Sequence, residues 1–289
     1  MDHNQPEPFL IVSPNDSKID PKIYPDIKSL VTLFIIYILN TIIVAIPGGI
    51  LLYGLNVYKL DSPDVKSLVN LMLYVIIALV TIRSAFKGSK REHKLLLKIK
   101  FNKIQGWLVP IIIIGTLALV MPLDQISSWI PMSKSVQKFF ETAFRKDIFS
   151  IVTMVIAAPI LEEILCRGII LRGLLKKYSP YTAILISAIF FGLMHLNPWQ
   201  ALPAFLGGLF LGWIYYRTQS VIPGMIIHAT MNGAGALLLF LPGHDQNLST
   251  LMGLPYYLTG LIVSVIVFAA VCIIINRKVV IIPEPIKYR

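Results

Sequence analysis

The chain has 289 residues, of which 56% are hydrophobic and only 14% charged, with a formal net charge of +11 and a mean hydropathy of +0.73. That balance excludes a soluble domain and matches an all-α, polytopic helical membrane protein. The basic residues sit mostly between apolar runs, where they report membrane topology rather than a nucleic-acid partner.

Residues 1–28 are polar and carry five prolines, Pro6, Pro8, Pro14, Pro21 and Pro25. They read as a loosely ordered tail. No basic stretch followed by an apolar core and a small-residue cleavage site is present, so a cleaved signal peptide is not expected. Eight apolar segments of spanning length follow: Leu30 to Tyr53, Leu68 to Phe86, Trp107 to Leu123, Ile148 to Leu171, Pro180 to Leu196, Trp199 to Tyr216, Val221 to Leu241 and Leu254 to Ile275. Only Asn197-Pro198 separates the fifth from the sixth. The two cysteines, Cys166 and Cys272, each lie inside an apolar segment, so no disulfide framework is implied.

The loops set an orientation. Lys87 to Lys103 holds seven Lys/Arg against one Glu, which places that loop in the cytoplasm. Alternation then puts Arg172, Lys176, Lys177, Arg217, Arg277, Lys278 and both termini on the same side, in a plasma membrane. Val136, Phe139, Phe140, Ala143 and Phe144 repeat at helical spacing opposite Lys138, Glu141 and Arg145, the pattern of an interfacial helix. Leu95, Leu96, Ile99 and Phe101 among the lysines read the same way. Both stretches are expected to rest on lipid headgroups, with binding of a substrate tail as the alternative.

The fourth segment contains Glu162-Glu163-Ile164-Leu165-Cys166-Arg167. A charged side chain in the bilayer interior is costly unless paired or wetted. Glu163 and Arg167 stand four residues apart on one helical face and can pair. Glu162 lies about 100° round the helix and has no local partner, so pairing explains Glu163 and Arg167 but not the extra carboxylate. Phe191 and His195 close the fifth segment at i and i+4, and His228 and Asn232 repeat that spacing in the seventh. Gly208 and Gly212 in the sixth give the small-xxx-small spacing of close helix packing.

Counted at 1.5 Å per residue, Glu162, His195 and His228 all fall near the middle of a core about 30 Å thick. Two Glu, two His and an Asn at one level make an intramembrane polar cavity. Such a chamber can deprotonate water directly or hold a divalent metal that does so. A second His and an amide donor can then stabilise an oxyanion. No nucleophilic Ser, Thr or Cys is evidently paired with a base, so hydrolysis by activated water is the natural reaction class.

E-E-x-x-x-R, F-x-x-x-H and H-x-x-x-N, in that order on successive apolar helices, resemble the CPBP family of intramembrane proteases, the CAAX prenyl endopeptidases and bacteriocin-processing enzymes also called the abortive-infection family. The resemblance covers residues of about 150 to 235; the first half of the chain matches only in hydropathy and span count. It implies an eight-helix core that cleaves peptide bonds of a membrane-associated peptide or protein. Glu162 would be the water-activating base, helped by His195. His228 and Asn232 would stabilise the tetrahedral oxyanion, Glu163 with Arg167 would hold the fourth helix in register, and Phe191 belongs to the second motif. Members are usually named metalloproteases, yet a metal-free glutamate mechanism is also argued for them. Glu162, His195 and His228 are the residues available as zinc ligands. Bacterial members have been linked to peptide maturation and bacteriocin immunity. The chain then divides into a tail (1–28), three spans with a basic loop and interfacial helix (29–147), catalytic helices four to seven (148–241), and a last span with its tail (242–289). The rival readings are a non-catalytic membrane scaffold or regulatory immunity protein, and an ion- or proton-coupled carrier using the same polar residues.

Overall fold

A computed structural model describes residues 24–60, 62–93, 99–130, 133–134, 145–238, 240 and 248–280. Every regular element among them is helical: α1 Ile27–Val57, α2 Pro63–His93, α3 Leu108–Ser128, α4 Ile148–Leu174, α5 Pro180–Leu193, α6 Pro198–Thr218, α7 Ile222–Leu238, α8 Leu248–Met252 and α9 Leu254–Lys278. Five of them, α1, α2, α3, α4 and α9, combine the length and hydropathy needed to cross a bilayer. The chain is thus a multi-pass helical membrane protein. The expected count of eight is not reached on that criterion, although all eight apolar segments are helical. The fifth is a helix of 14 residues and the seventh one of 17, below the length of a full span.

The helix starts follow from local chemistry. Asp26, Asp147, Ser179 and Asn197 each accept a backbone N–H from three residues on, capping α1, α4, α5 and α6. Pro180 and Pro198 then occupy the first helical positions, where no N–H is needed. The Asn197-Pro198 boundary expected from sequence is therefore a true break. Burial alone would raise the Asp147 carboxyl, but the Ser150 amide and the hydroxyls of Ser67 and Ser150 hold it below the usual carboxylate range. That cluster also ties the start of α4 to α2.

The core lies where α4, α5 and α6 meet. Leu165 to Leu174 is buried without a break. α5 packs antiparallel on α6, and the two expected glycines make the approach possible. A Cβ on Gly208 would sit 3.3 Å from the Ala188 backbone, and one on Gly212 would sit 3.0 Å from Ile184. α7 packs on α3, α4 and α6, while α9 lies along α3. The C-terminal carbonyls of α9 are capped from α6. Arg217 donates to Asn276 Oδ1 at 2.8 Å and also to the carbonyl of Val279.

α4 is not a regular helix. Thr153–Ala157 and Ile164–Leu171 are π-helical. The first precedes Pro159, which lacks an N–H and crowds the carbonyl four residues back, so the turn widens. In the second, Ser187 of α5 donates to the carbonyl of Cys166 at 3.1 Å, an inserted side-chain donor of the kind that loosens the ladder.

Two expectations about the loops need correction. Residues 99–105 are not helical. Ile99 packs inward against Gly168, and Lys100 and Asn102 bond to the α6–α7 connection. Residues 100–102 are thereby hydrogen-bonded to residues 219–221. His93, expected in a loop, is the last residue of α2. The expected interfacial helix over 136–144, Leu95, Leu96, His244 and most of both tails lie outside the described residues.

Candidate active site

The two adjacent glutamates of α4 diverge as their helical phase requires. Glu163 turns inward and is fully buried with Arg167; Arg167 Nη1 donates to Glu163 Oε1 at 2.5 Å. The guanidinium also donates to the carbonyl of Gly208 on α6 at 3.2 Å and lies 4.4 Å from the centre of the Phe191 ring on α5. One permanently charged group thus ties α4, α5 and α6 together. Room for the Glu163 carboxylate comes from α7, where a Cβ on Gly224 would sit 2.5 Å from Glu163 Oε2.

Glu162 turns the other way, with its side chain 16% exposed. It does have a partner, one from the first half of the chain: Tyr74 of α2 donates its hydroxyl to Glu162 Oε1 at 2.7 Å. Glu162 Oε2 is buried and has no hydrogen-bond partner among the described residues. It faces His228 Nε2 of α7 at 4.0 Å. The other ring nitrogen of His228 lies 3.3 Å from Glu163 Oε1 but is not aligned for a hydrogen bond. The imidazole therefore sits between the two carboxylates.

Phe191 joins the second histidine to this group. Its ring makes edge contacts with His195 at 5.3 Å and with His228 at 5.4 Å between centroids. His195 follows α5 in a turn, and because α5 is only about 21 Å long at 1.5 Å per residue, that turn ends beside the cluster. Its Nδ1 is 2.9 Å from the carbonyl of Phe191. A carbonyl only accepts, so Nδ1 carries the proton and Nε2 is left as the acceptor of the neutral ring. Asn232 is turned one helical step further along α7 and donates to the carbonyl of Met154, inside the first π-helical turn of α4, at 2.8 Å.

Glu162, Glu163, Arg167, Phe191, His195 and His228 thus form one contiguous group, with Asn232 bridging α7 to α4 beside it. The zinc expectation fits less well. Among the described residues, no group of three His, Cys, Asp or Glu side chains is placed to hold a metal ion. Glu162, His195 and His228 do not make a ligand set in this arrangement.

Sequence reasoning passed over Tyr74 and Tyr37. Tyr37 of α1 donates to the carbonyl of Met194, the residue before His195, at 2.9 Å. The available signal was a phenol in the interior of an apolar span, whose hydroxyl must find an acceptor there.

Residues 144–234 match the family described as "Type II CAAX prenyl endopeptidase Rce1-like". The "Putative membrane peptidase YdiL" of Bacillus subtilis is 34% identical over 82 residues, which cover 28% of this chain and 34% of that protein. The "UPF0177 protein YxdF" of Lactococcus lactis is 31% identical over 87 residues, 29% of this chain and 48% of that protein. The matched stretch spans between about a third and about a half of the length of these relatives. No solved structure matches the chain. Residues 144–234, which hold all three motifs and the whole cluster from Glu162 to Asn232, are thus the part of the chain that is similar to the Rce1-like family.

Proposed function

We propose that the protein is an intramembrane endopeptidase of the CAAX type, which hydrolyses a peptide bond of a membrane-associated peptide or protein with water activated by Glu162. The observation that carries this reading is the state of the Glu162 carboxylate. One oxygen is held by a phenol, while the other is buried, unpartnered and turned towards an imidazole. A buried acceptor of that kind suits a water that is to lose a proton.

In the proposed reaction, Glu162 Oε2 takes a proton from water as the water oxygen bonds to the scissile carbonyl carbon. The carbonyl electrons move to oxygen, and the developing oxyanion is met by the N–H of His228 and the amide of Asn232. Collapse of the tetrahedral species breaks the C–N bond, and the proton held by Glu162 passes to the leaving nitrogen. His195, with Nε2 as its free acceptor, assists proton movement from the far side of Phe191. Glu163 and Arg167 hold the geometry. Helices α4 to α7 form the catalytic part, in a plasma membrane with both termini in the cytoplasm. Peptide maturation or bacteriocin immunity is the biological setting we infer, from the motif resemblance alone.

The test is cleavage of membrane-associated peptides by purified protein in liposomes, with new termini identified by mass spectrometry. Glu162→Gln should lower the rate by about 10²–10⁴-fold while leaving the protein inserted and as thermally stable as the parent. Comparable cleavage by a folded Glu162→Gln protein would remove Glu162 from the chemistry.

A further inference from the structure

Residues before 144 lie outside the Rce1-like match, yet among the described residues two polar side chains from that half reach the cluster. Tyr74 donates to Glu162 Oε1, and Tyr37 donates to the carbonyl of Met194, next to His195. The ordinary account of a phenol inside an apolar span is a hydroxyl that has found whatever acceptor lay nearby. Tyr37, bonded to a backbone carbonyl, is compatible with that account. Tyr74 is different in kind, because its acceptor is one oxygen of a carboxylate whose other oxygen faces His228 with no partner.

A carboxylate without a fixed donor presents either oxygen to an incoming group. A phenol bonded to Oε1 removes that choice and leaves Oε2 on the side of α7. Hydrogen bonds to an ionised acceptor are also short and strong, so the contact holds the orientation firmly. The helices that supply the phenols are themselves anchored. Asn40 of α1 donates to Thr81 of α2 at 3.2 Å, Phe34 of α1 packs edge-on against Phe190 of α5, and Ser67 of α2 donates to Asp147 at the start of α4. α2 is therefore tied to α4 at the helix start as well as at Glu162.

We propose that Tyr74 is a positioning residue for the Glu162 base, and that Tyr37 does the same for the turn carrying His195, so that α1 and α2 complete the active site. The assignment rests on Glu162 being the water-activating group. Tyr74 keeps its proton throughout the reaction. Only Oε2 of Glu162 accepts the proton of water and returns it to the leaving nitrogen.

The experiment uses the full chain in liposomes and reads two quantities. Tyr74→Phe should lower kcat by about 10- to 100-fold, the weight of one hydrogen bond to a charged group, with KM within about twofold and the thermal midpoint close to the parent. Tyr37→Phe should lower kcat by less. In parallel, the infrared carboxyl band of Glu162, assigned by subtraction of the Glu162→Gln spectrum, should move in Tyr74→Phe and stay in place in Tyr37→Phe. The band is read without turnover, so it tests the contact independently of the chemistry. A band that does not move overturns the contact. A moved band with unchanged kcat overturns the positioning role. A Glu162→Gln protein that still cleaves instead overturns the endopeptidase reading beneath the proposal, whatever the band does. Should Tyr74→Phe fail to insert, fluorotyrosine placed at position 74 keeps the shape and alters only the acidity of the phenol. A kcat that then tracks acidity supports the assignment, and one indifferent to it overturns it.

Discussion

α1 and the second half of α4 are both long apolar stretches, and they use apolarity in opposite ways. Along Ile27–Val57 only Leu30, Leu33 and Gly48 are buried; most of the surface is left to lipid. From Leu165 to Leu174 every residue is buried, the fully enclosed Arg167 among them. Hydropathy cannot separate the two, because the bilayer and a protein interior reward the same side chains. What separates them is the charge. A span that faces lipid tolerates none at its centre, while one enclosed by three other helices can hold an ion pair, here with the two terminal nitrogens of Arg167 bonded to Glu163 and to the Gly208 carbonyl.

The sharpest way to test that contrast is to orphan the enclosed charge. Arg167→Ala leaves Glu163 without its partner among α4, α6 and α7, and Glu163→Ala does the converse. Breaking a buried pair from one side typically costs about 3–5 kcal/mol. Either variant should therefore show a much lower thermal midpoint and yield in detergent, while Glu162→Gln should not. Equal stability of all three variants would mean that the pair is not the structural member of the motif.

A smaller effect is expected on α7. In Gly224→Ala the new methyl would stand 2.5 Å from Glu163 Oε2. The carboxylate is pinned by Arg167 and cannot swing away, so α7 must move and carry His228 with it. Overpacking of this kind costs about 1–3 kcal/mol. Activity should fall further than the thermal midpoint does, measured by cleavage rate and by scanning calorimetry. A methyl accommodated without change would show that α7 has slack at this point.

The smallest effect belongs to the periphery, where α4 starts. Asp147 caps the helix with its carboxyl held below the ordinary range. Its contribution is fully present above the unfolded carboxyl pKa and is lost as pH falls through the lower, folded value. Asp147→Asn keeps a capping side chain but loses the charge, so it should be less stable than the parent near neutrality by about 0.3–1 kcal/mol, the worth of an anion at a helix N-terminus. The gap should close in strong acid. Midpoints recorded across pH check this, and a gap that widens in acid would contradict the cap.

How much was legible in the sequence follows the same contrast. Glu163, Arg167, Phe191, His195, His228 and Asn232 could be singled out because each belongs to an i, i+4 pair in a setting that penalises polarity, and Glu162 because it is a charge there without a local partner. The division between the paired and the unpaired glutamate could be found too, since it needs only helical phase. Tyr74 could not, because a phenol in an apolar span has many acceptable acceptors and its sequence does not say which. Gly224 was equally hidden, as its meaning lies in what approaches it from another helix. The π-helical turns escaped notice because counting at 3.6 residues per turn assumes an unbroken ladder, and Pro159 alone does not reveal how far a break spreads.

The first of those turns has a consequence for the geometry of the whole cluster. A π-turn behaves as a single residue inserted into an α-helix, and each residue carries about 100° of rotation. The helix start at Ile148 is clamped to α2 through Asp147 and Ser67, so its azimuth is fixed from outside. Thr153–Ala157 acts as a phase shifter between that clamp and the glutamate pair. Removing one residue from it, with the ladder closing to regular α-helix, would turn Glu162 by about 100° away from both Tyr74 and His228 without altering any residue of the motif.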